Sequence, residues 1–251
     1  MLYPIVFYRL QPVVGFAWAT RVLGFIALAT LALSNIVLRV RVLPAARRKF
    51  FDITAWKELP YLFFNFGSFF AFFGLYTVFF LVQSYVLEEK IMGEGLAFYT
   101  LAVLNAASTF GRVIPNYIAD RLGPLNIIVP CAFMTGILQF CLIASHSTAS
   151  VMTVLALYGF FSGTLVSLPA TIYVQLATAQ GKRGMIGTRM GMGFGFVSIG
   201  MLVGTPIAGA ILQSAGFVAV WIYGGVMLSV GSTFFALARM AQAGWRWKAI
   251  V

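Results

Sequence analysis

Three groups of polar side chains interrupt otherwise apolar stretches, and the chemistry open to them is binding and positioning rather than bond making. Read as helices with about 100° per residue, Asn65, Ser68, Tyr76 and Gln83 fall on one side. Asn105, Ser108, Thr109 and Arg112 cluster in the same way, and Tyr158, Ser162 and Tyr173 share a face with Pro169. Polar groups deep in lipid need protein or water as partners, so each stripe is a candidate lining for a solute path. The other reading is hydrogen bonding between helices, worth about 0.6 kcal/mol per bond. Both stay open here.

Arg112 is the strongest single candidate, because a charge is costly in hydrocarbon and pairs or faces water. Its place near one end of an apolar stretch also allows it to snorkel to the headgroups. Arg21 reads as an anchor at a membrane margin, and His146, the one histidine, as a solvated loop residue in a Ser/Thr-rich turn. Cys131 and Cys141 offer no metal spacing and no disulfide framework, and read as small apolar core residues. One histidine and scattered acids leave no catalytic constellation, no metal site and no cofactor requirement to propose.

The elements that must position these groups follow from composition. Of 251 residues 61% are apolar and 9% charged, a balance that expects lipid as solvent for much of the chain. The net charge of +11 falls in short clusters between apolar stretches, which points to a membrane protein and not to nucleic acid. A span needs roughly 20 apolar residues. On that scale the sequence predicts seven helices: 22–38, 59–87, one over 95–111 that borrows a turn beyond Arg112, two in 122–181 split at Ser145–Ser150, and two in 190–238 split at Gln213–Gly216. Pro4, Arg9 and Pro12 break the opening apolar residues, so 1–21 is expected as an extracellular loop. The remaining divisions are a first helix over 22–39, a cytoplasmic basic linker over 40–58, a six-helix unit over 59–238 and a cytoplasmic tail over 239–251. The expected fold class is an all-α membrane protein.

Orientation comes from the loops. Fourteen Lys and Arg fall on one side of this scheme and three, Arg9, Arg21 and Lys90, on the other. Positive charge marks the cytoplasmic side, which puts the N-terminus outside and the C-terminus inside. Glycines should set the packing. Gly191 and Gly195 continue a four-residue repeat from Gly187, and Gly200 and Gly204 follow before Pro206 and Gly209. Small residues at this spacing let helices approach closely, and the proline can bend the span.

The junction Gly111-Arg-Val-Ile-Pro-Asn-Tyr-Ile-Ala-Asp-Arg-Leu-Gly123 carries a resemblance. Its Asp120-Arg121-Leu122-Gly123 resembles the cytoplasmic signature of the major facilitator superfamily. With Asn105-Ala-Ala-Ser108 before it and Gly204-Thr-Pro-Ile-Ala-Gly209 later, the chain is similar to the fungal monocarboxylate-transporter-like branch, from the end of the fifth helix through the twelfth. The resemblance implies a six-helix C-terminal half plus one preceding helix, a central path for a small organic solute, and a switch at Asp120, Arg121 and Gly123. The other reading of Asp120 is a cap on the following helix. The sequence departs from the pattern where Asn116 replaces the leading glycine and Pro124 and Leu125 replace basic residues. Ser108 stands where animal relatives carry a proton-coupling aspartate, which counts against proton-coupled transport of lactate-like acids. A cationic Arg112 could still attract an anionic solute.

The resemblance also implies partners: the lipid bilayer, a solute, and the family's N-terminal half, absent from this sequence, or a second subunit. The expected function is secondary transport by alternating access in a multi-pass protein of the plasma membrane. A seven-helix receptor and a non-transporting remnant of a transporter are the alternatives.

Overall fold

A computed structural model describes residues 2–39 and 50–244, and within them the chain is helical, with no strand. Five helices are long and apolar enough to cross a membrane. With no water in a bilayer core, a helix satisfies each backbone group within its own segment, so long apolar runs fold this way.

The chain divides into two units, 1–47 and 48–251. The first contains α1 (Leu2–Val37). The loop expected over 1–21 is instead helical from Leu2, and the helix passes through Pro12. Its one departure from helical backbone is at Gly15, φ 76° and ψ 166°, where glycine adopts a conformation closed to other residues. Prolines cost a helix single hydrogen bonds, whereas the surrounding apolar residues favour helix along the whole segment. The expected span over 22–38 is the second part of α1.

The second unit is a bundle of α2 (Leu59–Glu88), α3 (Glu94–Leu122), α4 (Pro124–Cys141), α5 (Thr148–Ala179) and α6 (Ile186–Ala243). α3 runs past Arg112 by ten residues to Leu122, further than the single turn expected. At about 1.5 Å per residue, α6 would be roughly 87 Å long if straight, far beyond a core about 30 Å thick. It breaks at Gly216, φ 77° and ψ −178°, within the expected turn. The other expected break holds a short 3-10 turn, Leu142–Ala144, and a capping box in which Ser147 and Ser150 each accept the other's backbone N–H.

α2 packs chiefly on α6, α3 on α5, and α4 on both α5 and α6. Small residues make the first two contacts close. Gly111 on α3 lies against the Phe160 backbone, while Gly159 and Gly163 on α5 lie against Leu104 and Ser108. A methyl group at any of the three would collide with the facing backbone. Between α2 and α6, Gly200 and Gly204 meet the backbone of Phe69 and Phe73, and Gly74 meets Gly224. The packing expected of the α6 glycines is thus made by Gly200 and Gly204. Gly191, Gly195 and Gly209 form no such contact in this chain: a Cβ on any of them meets nothing within 4 Å. Pro206 lies exposed inside α6 without a backbone break. Cys131 is buried as expected, but Cys141 is exposed because it ends α4.

Candidate functional site

α3 divides into three sectors. Leu104, Ser108, Gly111, Pro115 and Ala119 are buried. Asn105, Thr109 and Arg112 form an exposed polar stripe, and Asn116 continues it half-buried. Phe110, Val113, Ile114 and Tyr117 form an exposed apolar stripe beside it, each at least 46% exposed. At about 100° per residue the polar stripe occupies roughly 60° of the helix and the apolar stripe the next 100°. Such a helix can show hydrocarbon to lipid on one side and polar groups to a water-filled path on the other.

Tyr76 on α2 extends the polar stripe. Its ring lies 5.5 Å from that of Phe79 and 6.1 Å from that of the exposed Phe80, and Arg112 is near enough for its charge to act on the phenol. Neither ion pair found among the described residues involves Arg112. The site is therefore an open, cationic, partly aromatic surface shared by α2 and α3.

The other path candidates lie inside the packing. Asn65, Ser68, Ser108, Tyr158, Ser162 and Tyr173 are each no more than 3% exposed. Tyr173 donates to Asn65 Oδ1 at 2.8 Å, and Asn65 donates to the Tyr61 carbonyl at 2.8 Å. Tyr158 donates to the Leu75 carbonyl at 2.8 Å, and Ser162 to that of Gly159 at 3.1 Å. Beside Tyr158, Gln139 donates to Thr77 at 2.7 Å. These groups tie α2, α4 and α5 together, which is the packing reading of their stripes.

At the α3–α4 corner, Gly123 adopts φ 94°, which permits the turn into Pro124. Asp120 does not cap α4, whose N-cap is Gly123. Asp120 and Arg121 both point into open space, with Arg121 bonded to Tyr117 Oη at 2.8 Å and its guanidinium 5.1 Å from that ring.

The largest polar cluster was not anticipated. Arg189, expected among loop cations, lies in the second turn of α6 with 1% exposure. Its guanidinium donates to both Glu58 oxygens at 2.8 and 2.7 Å and to Asp52 Oδ2 at 2.9 Å. Thr54 donates to the other Asp52 oxygen, and the Asp52 N–H meets Met192 Sδ at 3.2 Å. Tyr61 donates to the Arg189 carbonyl at 2.7 Å. The Thr54 hydroxyl, with Arg189 and Lys182 nearby, holds the Asp52 carboxyl below its ordinary value against the opposing effect of burial. Residues 50–58, expected as linker, are thus docked, with a 3-10 helix over Ile53–Lys57. The available signal was compositional: Asp52 and Glu58 are the only acids in a basic segment.

Fold and site together define a multi-pass, all-α membrane protein with a polar surface between its helices. Compared with known proteins, the chain is 41% identical over 241 residues, 95% of its length, to an MFS-type transporter of Emericella nidulans. It is 38% identical over 90% of its length to an aspyridones efflux protein of the same organism, and 35% over 96% to an agnestins efflux protein of Paecilomyces divaricatus. These alignments cover 54%, 46% and 54% of the three relatives, so the chain spans about half the length of the curated relatives it matches. No protein-family model matches the sequence. The relatives support membership of the major facilitator superfamily.

Proposed function

We propose that this chain is the C-terminal part of a secondary transporter in the monocarboxylate-transporter-like branch, and that it moves a small organic solute by alternating access. The observation that carries the reading is the exposed polar sector of α3 beside an exposed apolar one, with Arg112 in the polar sector. A helix surrounded only by lipid gains nothing from such a face. Counting both parts of α6 and the more polar α3, the reading has seven spans, with the N-terminus outside, the C-terminus cytoplasmic and the plasma membrane as site. Secondary transporters bind at the interface of two halves, so the open stripe faces an N-terminal half, in one longer polypeptide or as a second subunit.

Arg112 attracts the solute, which favours an anionic one, and Tyr76, Asn105 and Thr109 supply hydrogen bonds beside it. The buried Asn65, Tyr158 and Tyr173 hold the lining helices α2 and α5 together, and Ser68, Ser108 and Ser162 are sealed in the same packing. Asp120 and Arg121, unpaired with each other and open at the helix corner, are available for charge contacts that differ between inward- and outward-facing states.

The test is a chimera in which this chain replaces the matching region of the aspyridones efflux protein of Emericella nidulans. Cells expressing it should export the solute that the parent exports, and Arg112→Ala should lower that export about tenfold, the effect of losing roughly 1.4 kcal/mol of interaction. Export equal in both would remove Arg112 from the path.

A further inference from the structure

The segment 50–58 enters the bundle as a strap that the solute path does not use. Arg189 fixes its inner side through Asp52 and Glu58. Its outer side carries large apolar groups in the open: Phe50, Phe51 and Ile53 are 88%, 68% and 73% exposed. Between the strap and the start of α6 runs a groove of about 790 Å³, walled by Phe51, Trp56 and Met192 and floored by Gly191 and Gly195. The floor is free, since a Cβ at either glycine would meet nothing within 4 Å.

Cations lie next to the groove's walls in sequence: Lys57 follows Trp56, and Lys182 and Arg183 come just before the start of α6. Lys57, Lys182 and Arg183 are exposed, and Lys182 sits near enough to Asp52 to stabilise its charge. Arg47, Arg48 and Lys49 immediately precede Phe50 in sequence. The neighbouring carboxylates are already committed: both Glu58 oxygens accept from Arg189, and the two Asp52 oxygens accept from Arg189 and Thr54. An apolar groove bordered by exposed aromatic rings, with exposed cations adjacent in sequence to its wall and to the start of α6, matches a molecule with a hydrocarbon tail and an anionic head. Basic pockets between helices on a cytoplasmic surface bind acidic lipid headgroups for this reason.

We propose that the strap and groove form a binding site for one anionic phospholipid, its acyl chain along Gly191 and Gly195 and its phosphate among Lys57, Lys182 and Arg183. The ion-pair cluster positions the strap, which makes Arg189 a positioning residue for the lipid. The proposal rests on the membrane placement above but not on transport.

Trp56 in the groove wall provides the readout. The full chain is reconstituted in phosphatidylcholine vesicles containing an equal fraction of either brominated phosphatidylserine or brominated phosphatidylcholine. The Trp56 signal is the difference between the chain and its Trp56→Phe variant. Brominated phosphatidylserine should quench it several-fold more strongly, and Lys57→Gln or Lys182→Gln should each lower that preference by up to about fivefold. Gly191→Leu should fill the groove and remove quenching by both lipids. Arg112→Ala should leave the lipid quenching unchanged, which separates this site from the solute path. Equal quenching by both lipids, or none by either, would overturn the proposal, the second by showing the groove covered by protein. A preference that survives loss of the cations, or that millimolar inorganic phosphate abolishes, would also overturn it.

Discussion

Arg189 occupies a buried position where one guanidinium bonds two carboxylates, and its loss would leave both without their hydrogen-bonded cation. Breaking such a cluster costs more than the cluster contributes relative to an apolar replacement, because desolvated charges are left unpaired. Arg189→Met should therefore lower stability in detergent by about 3 kcal/mol, read from thermal unfolding, and adding Asp52→Asn with Glu58→Gln should recover most of the loss. The sign of the pH dependence follows from Asp52. Its carboxyl is held below its unfolded value, so its contribution is complete above about pH 4 and is lost as pH falls through the lower folded value. Unfolding temperatures measured from pH 7 down to pH 3 should fall more steeply for the natural chain than for Asp52→Asn. Arg112 has the opposite circumstance, a cation in the open with a phenol as neighbour, and its replacement should affect solute movement while leaving the unfolding temperature nearly unchanged.

At the scale of elements, close backbone contact decides which glycines matter. Gly163→Leu would drive a side chain into the Ser108 backbone and separate α3 from α5, at a cost of about 3 kcal/mol or more. Gly195→Ala, in a helix of similar apolar character, should be neutral or slightly stabilising because its Cβ meets open space and alanine favours helix. Thermal unfolding of the two variants side by side checks the difference, and equal destabilisation would refute the division. Both glycines sit in four-residue repeats, Gly159 with Gly163 and Gly187 with Gly191 and Gly195, which look alike in the sequence. The repeat marks a smooth helix face, but whether another helix lies on that face is decided by the rest of the bundle. The strap repeats the point, since its two acids amid basic residues were visible, while their partner lies 131 to 137 residues away in sequence.

Under the proposed function the chain works against a second half, and its open polar sector is the surface that meets it. Tags at the two termini of the chain in intact cells should be reachable from opposite faces, the N-terminal one from outside. Labelling of both from the same face would contradict the proposed orientation. Extraction should need detergent, since the long apolar helices leave many large apolar side chains at the surface, such as Leu202 at 75% exposure.

The amino-acid order alone determined that the chain is helical with long apolar runs suited to lipid, where α2, α4 and α5 begin and end to within a few residues, and that the breaks fall near Ser147 and Gly216. Those properties depend on local facts, apolar run length and residues that suit turns, which a sequence displays directly. It misjudged 1–21 because proline and arginine were weighed as breakers without the bilayer's demand for internal hydrogen bonds. Only the tertiary structure decided which polar residues are sealed and which are open. Tyr158 and Arg112 look alike as polar interruptions of apolar helices, yet one donates to a carbonyl across the bundle and the other faces outward. Helical periodicity fixes which residues share a side, whereas the neighbour on that side is set by contacts between helices far apart in the chain.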